Sequence, residues 1–213
     1  MKKLILSTIV LLASIVAFAQ SEKFTAAMKK NLAAMDNAFK TPPDLLDVSN
    51  NFERIANAEK NQWLPYYYAA FCQVNYGLIQ QDKDKMDGYA DKATELIAKA
   101  DSLSPNNSEI SCVKSMIATC HMLVNPMQRF QEYGQESTGN METAMQQDAT
   151  NPRPYLLKGQ NLKYTPEQFG GGCKTAKPLL QTAADKFASF KPASDISPNW
   201  GMDRVNALLK DCN

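Results

Sequence analysis

Apolar residues along this chain recur every three or four positions, with hardly any run alternating every second residue, and that rhythm predicts helices from end to end. A first amphipathic helix is expected over about 22–40, where Phe24, Met28, Leu32, Met35 and Phe39 share a face, and Thr41, Pro42 and Pro43 end it because proline cannot continue the hydrogen-bond ladder. A second, about 43–60, carries Leu46, Phe52, Ile55 and Ala56 on one side. The stretch 62–80 is apolar on every side, which predicts a helix buried between others, and its partner over about 84–103 turns Tyr89, Ala93, Leu96, Ile97 and Ala100 inward. A fifth helix follows at about 108–124. The polar stretch from Pro126 to Ala149 reads as interrupted around Gly134 to Asn140, and a further helix over 155–163 precedes the run Tyr164-Thr165-Pro166-Glu167-Gln168-Phe169-Gly170-Gly171-Gly172. β-Branched residues are thin and no alternating run is flanked by tight hairpin dipeptides, so the fold class is all-α.

Within this pattern, Ala93, Ile97, Ala100 and Pro105 fall at the small, bulky, small and proline spacings that close a tetratricopeptide unit; Tyr155 and Gly159 sit where such a unit opens, and Ala176, Leu180 and Ala183 where its second helix packs. The chain therefore resembles an irregular array of antiparallel helix pairs, although the stretch between Gly77 and Ala93 is longer than a ~34-residue unit allows. From Tyr155 through the glycine run to Phe187, Phe190, Pro192 and Pro198-Asn199-Trp200-Gly201, it is similar to the C-terminal part of exported tetratricopeptide-like proteins of Bacteroidetes, a resemblance that covers about 63–212. What the resemblance implies is helical architecture and export; it brings no reaction with it.

Lys2 and Lys3 precede an apolar run ending at Phe18, with Ala17 and Ala19 ahead of Gln20, the three-part layout of a secretory signal peptide cleaved after Ala19. Its apolar run is shorter than the ~20 residues of a spanning helix, and no lipid-accepting cysteine follows. The expectation is a signal at 1–19 and one helical domain at 20–213, exported to the periplasm or beyond. Removing Lys2 and Lys3 leaves 21 basic against 22 acidic residues, close to neutrality, with no basic tract to displace counterions, so nucleic acid is set aside.

Several local motifs fall short of the chemistry they suggest. Gly170 to Thr175 lacks the glycines a phosphate loop needs, since Gln168 and Cys173 occupy those positions. Asp82, Asp84, Asp87 and Gly88 miss the calcium-loop spacing, with Gly88 seventh and Ala93 twelfth. His121, the single histidine, neighbours Cys120 on a predicted helix; adjacent residues there point about 100° apart, and no Cys-x-x-Cys is available to complete a metal site. Among the five cysteines, Cys112 and Cys120 lie ~12 Å apart along one helix, beyond bridging distance, and Cys72 falls in the most apolar helix. Cys173 and Cys212 are left as the pair free to meet, with unpaired thiols as the alternative.

No cofactor, metal or catalytic set is expected, and the chain does not read as an enzyme. The first functional expectation is an adaptor whose concave face, formed by Tyr67, Phe71, Asn75, Met116, Gln160 and Lys163, holds a protein or peptide of the cell envelope. The alternative is a small-molecule or glycan binder that uses Tyr164 to Gly172, where aromatic residues beside glycines can form a stacking platform.

Overall fold

The computed structural model describes residues 22–212; the signal segment expected at 1–19 lies outside the described residues. Helix α1, residues 22–38, buries Phe24, Met28, Met35 and Ala38. It turns at Thr41 to Pro43 into α2 (Asp44–Glu59), which buries Leu45, Val48, Phe52 and Ala56. The inward stripe thus runs through Leu45 and leaves Leu46 half-buried, one residue away from the sequence expectation. Two adjacent leucines fit the period equally well, and packing against the next helix chooses between them.

Helix α3 (Trp63–Gln80) is buried without interruption from Leu64 to Val74, as its all-round apolarity predicts. Gln81 takes a left-handed conformation that ends it, and α4 (Lys83–Leu103) begins two residues later. The extra residues of this pair lengthen the helices rather than the loop between them. Asn107 caps α5 (Ser108–Val124) by accepting the Glu109 amide at 2.9 Å.

The interruption expected at 134–140 is absent. A single turn, α6 (Pro126–Arg129), runs through a π-helical turn (Phe130–Gly134) directly into α7 (Gln135–Gln147). Ser137 is tolerated inside a helix because tertiary partners compensate it: its hydroxyl meets those of Ser115 at 3.0 Å and Thr119 at 2.9 Å. The chain continues as α8 (Arg153–Tyr164), a 3-10 turn (Glu167–Phe169), α9 (Cys173–Ser189), an irregular segment over 190–201 and α10 (Met202–Asp211). The described residues are all-α: antiparallel pairs stacked side by side, α3 with α4, α5 with α7 and α8 with α9, with α2 packed on α3.

Close approach of the last pair depends on Gly159, where an added Cβ would lie 2.8 Å from Leu180 Cδ2 and 3.3 Å from the Leu180 backbone nitrogen. Two apolar clusters result among the described residues. The larger is centred on α3, the smaller is formed by Leu156, Ala176, Leu180, Ala183, Val205 and Leu208, and Trp200 packs against both. Cys173 and Cys212 are joined in a disulfide, their Cα atoms 5.2 Å apart, which ties the end of α10 to the start of α9. Cys72, Cys112 and Cys120 are free thiols buried in the core. No helix among the described residues is long and apolar enough to cross a membrane.

Candidate ligand-binding site

The irregular segment 190–201 decides which surfaces of the array remain open. It crosses α3: the Tyr68 hydroxyl donates to the Ile196 carbonyl at 2.9 Å, the Trp200 indole N–H donates to the Tyr67 phenol oxygen at 2.8 Å, and the Trp200 ring lies 4.9 Å from that of Phe71. Lys29 of α1 pairs with Asp195 at 2.6 Å on the other side. The chain is thus its own occupant over Tyr67 and Phe71, two of the six residues expected to line a groove. Met116 is buried in the core, and half-buried Asn75 donates to the Phe71 carbonyl at 2.7 Å. Gln160 and Lys163 lie elsewhere, beside Tyr164 at the end of α8.

Beneath this segment sits a buried ion pair that local sequence gives no sign of. Arg153 is fully buried; its guanidinium donates to Glu109 Oε1 at 2.8 Å and to the Pro198 carbonyl at 2.7 Å, and Phe190 and Trp200 lie 4.7 and 5.1 Å from it. Asn151 donates to the same Glu109 oxygen at 3.0 Å. Burial pushes the Glu109 carboxyl above its ordinary range, opposed by Arg153. Burial likewise raises Tyr67 far above the usual phenol range, with Glu109 adding to it. These groups fasten the C-terminal segment, and among the described residues Arg153 Nε is the one buried side-chain polar atom without a hydrogen-bond partner.

A second polar cluster lies at the opposite end of the helices. His121 Nδ1 is 2.7 Å from Asp87 Oδ1, and Arg129 donates to both Asp87 oxygens at 2.7 and 2.9 Å. The Arg129 guanidinium, and His121 after it, hold the Asp87 carboxyl below the ordinary carboxylate range. Tyr133 of the π turn stacks on His121 at 4.9 Å. The cluster fastens the turn after α5 to the start of α4, so single-histidine chemistry is here a brace.

That same end carries the apolar surface. The most exposed large apolar side chains among the described residues are Met127 at 89%, Phe169 at 68%, and Phe130 and Tyr164 at 62% each. Met127 and Phe130 follow the C-terminus of α5, and the Phe130 ring packs over Gly134 beside Met122. Tyr164 and Phe169 follow the C-terminus of α8, which runs alongside α5: Ser137, bonded to Thr119 of α5, also accepts from Asn161 of α8 at 3.4 Å. All four residues therefore share one end of the array, where water covers apolar area that could be buried.

Glycine shapes half of this surface. Gly170 and Gly172 have φ of +83° and +89°, and a Cβ on Gly171 would collide with the Thr165 carbonyl. The Gly172 amide donates back to Leu162 at 2.9 Å, folding the loop against α8 and leaving Phe169 outward. Around Tyr164 stand two cations: Lys163 Nζ lies 5.2 Å and Arg204 Cζ 5.9 Å from its ring centre, and Arg204 also donates to the Tyr164 hydroxyl at 3.1 Å. The sequence pointed to Tyr164 to Gly172 but not to Met127 and Phe130, whose only signal is large apolar residues in a polar stretch with no helical period.

The fold is similar to that of the HusA haemophore from Porphyromonas gingivalis, at 33% sequence identity and a TM-score of 0.80, over 89% of this chain and 92% of that one. No protein-family model matches the chain, and no curated protein does.

Proposed function

This chain belongs to the family of the HusA haemophore, and from that premise we propose that it is an exported, non-catalytic binder of haem, taken up at the end of the array where Met127, Phe130, Tyr164 and Phe169 are exposed. The observation that carries the reading is the gathering of these four side chains at one end. Haem is a flat apolar macrocycle, and covering exposed aromatic and thioether groups returns roughly 25 cal/mol for each Å² of apolar surface removed from water. Rings such as Tyr164 and Phe169 add stacking geometry, and the adjoining glycines let backbone approach a flat ligand closely. The reading develops the small-molecule alternative built on residues 164–172, and it places the protein in the envelope or outside the cell.

Titration of the chain from Gln20 onward with haemin, followed at the Soret band, tests the proposal. Wild type is expected to give a saturable spectral change, and the double variant Phe130→Ser, Phe169→Ser to bind at least tenfold more weakly with an unchanged helical circular dichroism spectrum. A wild type with no saturable change overturns the haem reading. Equal binding by wild type and double variant overturns the location.

A further inference from the structure

Helix α10 reaches across the open end with a charge that no carboxylate among the described residues pairs with. Arg204 is exposed, and its hydrogen bonds go to neutral oxygens: Nε to Gln160 Oε1 at 2.6 Å and a terminal nitrogen to the Tyr164 hydroxyl at 3.1 Å. Among the described residues no carboxylate lies within ion-pair distance of it, although its charge contributes to lowering the Asp211 carboxyl. Lys163, on the same ring, differs in this respect. Its ammonium is engaged by Asp211 at 2.7 Å, and that pair is the first cause of the depressed Asp211 carboxyl. Of the two cations beside Tyr164, Arg204 is the one with charge to offer.

Its position is also fixed. The α10 helix is held at its C-terminal end by the Cys173–Cys212 disulfide and by the Asp211–Lys163 pair, and at its N-terminal end it follows Trp200, which is anchored on Tyr67 and Phe71. Val205, next to Arg204, and Leu208 are buried against α8 and α9, so the guanidinium hangs from a rigid support. A planar guanidinium on an aromatic platform suits a ligand that is flat and carries a carboxylate, since two parallel N–H donors match the two carboxylate oxygens.

Resting on the haem reading, we infer that α10 is the carboxylate-recognising arm of the binding end, with Arg204 as its ion-pairing residue, so that the site selects macrocycles bearing free carboxylates over their esters. Haem carries two such groups, and the side of the ring that bears them faces α10.

The inference is tested with haemin and its dimethyl ester as paired probes, in one buffer with the same low level of detergent, against wild type, Arg204→Gln, Arg204→Lys and Lys210→Gln. Wild type is expected to bind the diacid roughly tenfold more tightly than the diester, the scale of one solvent-accessible ion pair with good geometry. Arg204→Gln should abolish that preference while leaving diester affinity unchanged; Arg204→Lys should retain part of it; Lys210→Gln, the same charge change on the same helix, should retain all of it. A wild type that binds both probes equally sinks the inference and leaves the haem reading intact. So does an Arg204→Gln variant weakened equally toward both, because loss without discrimination marks a merely structural role. A wild type that binds neither probe sinks the haem reading and this inference together.

Discussion

The indole N–H of Trp200 donates to the phenol oxygen of Tyr67 across 133 residues of chain, at 2.8 Å, and the same indole touches both apolar clusters. This contact joins the last helical unit to the central helix. Trp200→Ala should cost about 3–5 kcal/mol, the range for removing a large packed aromatic side chain. Trp200→Phe keeps much of the apolar contact and should cost about 1–2 kcal/mol for the lost hydrogen bond. Denaturant unfolding of the two variants measures the difference.

Removal of Arg153 leaves Glu109 buried without its cation, and a fully buried pair broken on one side is the costly case. Arg153→Met should lower stability by about 3–5 kcal/mol, while the double change Glu109→Leu, Arg153→Met should recover a large part of the loss, because apolar replacements of both partners remove the stranded charge. Unfolding midpoints of the two single variants and the double form a cycle that reports the coupling. Additive losses would contradict the pairing.

Asp87 provides a pH signature. Its folded carboxyl titrates below its unfolded value because Arg129 and then His121 hold the charged form. Its contribution to stability is therefore present above the ordinary carboxylate range and is lost as pH falls through the lower folded value. Thermal melts between about pH 5 and pH 2 should show wild type losing stability more steeply than Asp87→Asn. A variant with the wild-type slope would mean that the brace between the π turn and α4 carries no net energy.

The disulfide closes a loop with a sequence separation of 39 residues, long enough for reduction to free considerable chain entropy. Reduced protein, or Cys173→Ser with Cys212→Ser, should be less stable by about 2–4 kcal/mol while α1 to α7 stay folded. Calorimetry with and without a thiol reductant checks the magnitude; backbone amide exchange checks that the loss is confined to α8 to α10.

Local period sufficed for the helices, and for α3 it also gave the environment, since apolar residues on every side fit only a central position. It failed where two answers share one pattern. Leu45 and Leu46 are equivalent to a period of 3.6, and only the surface of α3 separates them. Around Ser137 to Asn140 the residue types suggest a break, yet Ser115 and Thr119, distant in sequence, supply the partners that keep the helix whole. Cys173 and Cys212 were approachable by elimination because the other cysteines lie in helices packed into the core. Ala176, Leu180 and Ala183 were readable as packing positions of a second helix, and all three are buried, Leu180 against Gly159. The covering of Tyr67 and Phe71 was illegible: a stretch of proline, serine and asparagine looks like any loop, and its anchors on Tyr67, Tyr68 and Lys29 lie far away in sequence. The exposed end was half legible, through its glycines, and half hidden, because isolated apolar residues such as Met127 leave no periodic trace.

The three core thiols have a bearing on how the chain reaches this state. Burial pushes Cys120 up to about 12 and raises Cys72 and Cys112 as well, so the finished fold holds them as inert thiols. Before α3 and α5 are packed, all five sulfurs compete for the same oxidant. Correct pairing therefore belongs to molecules whose first five helices close faster than the surroundings can oxidise them, and a slow-folding variant should be sorted by its sulfur chemistry into trapped isomers, without any change at its binding end.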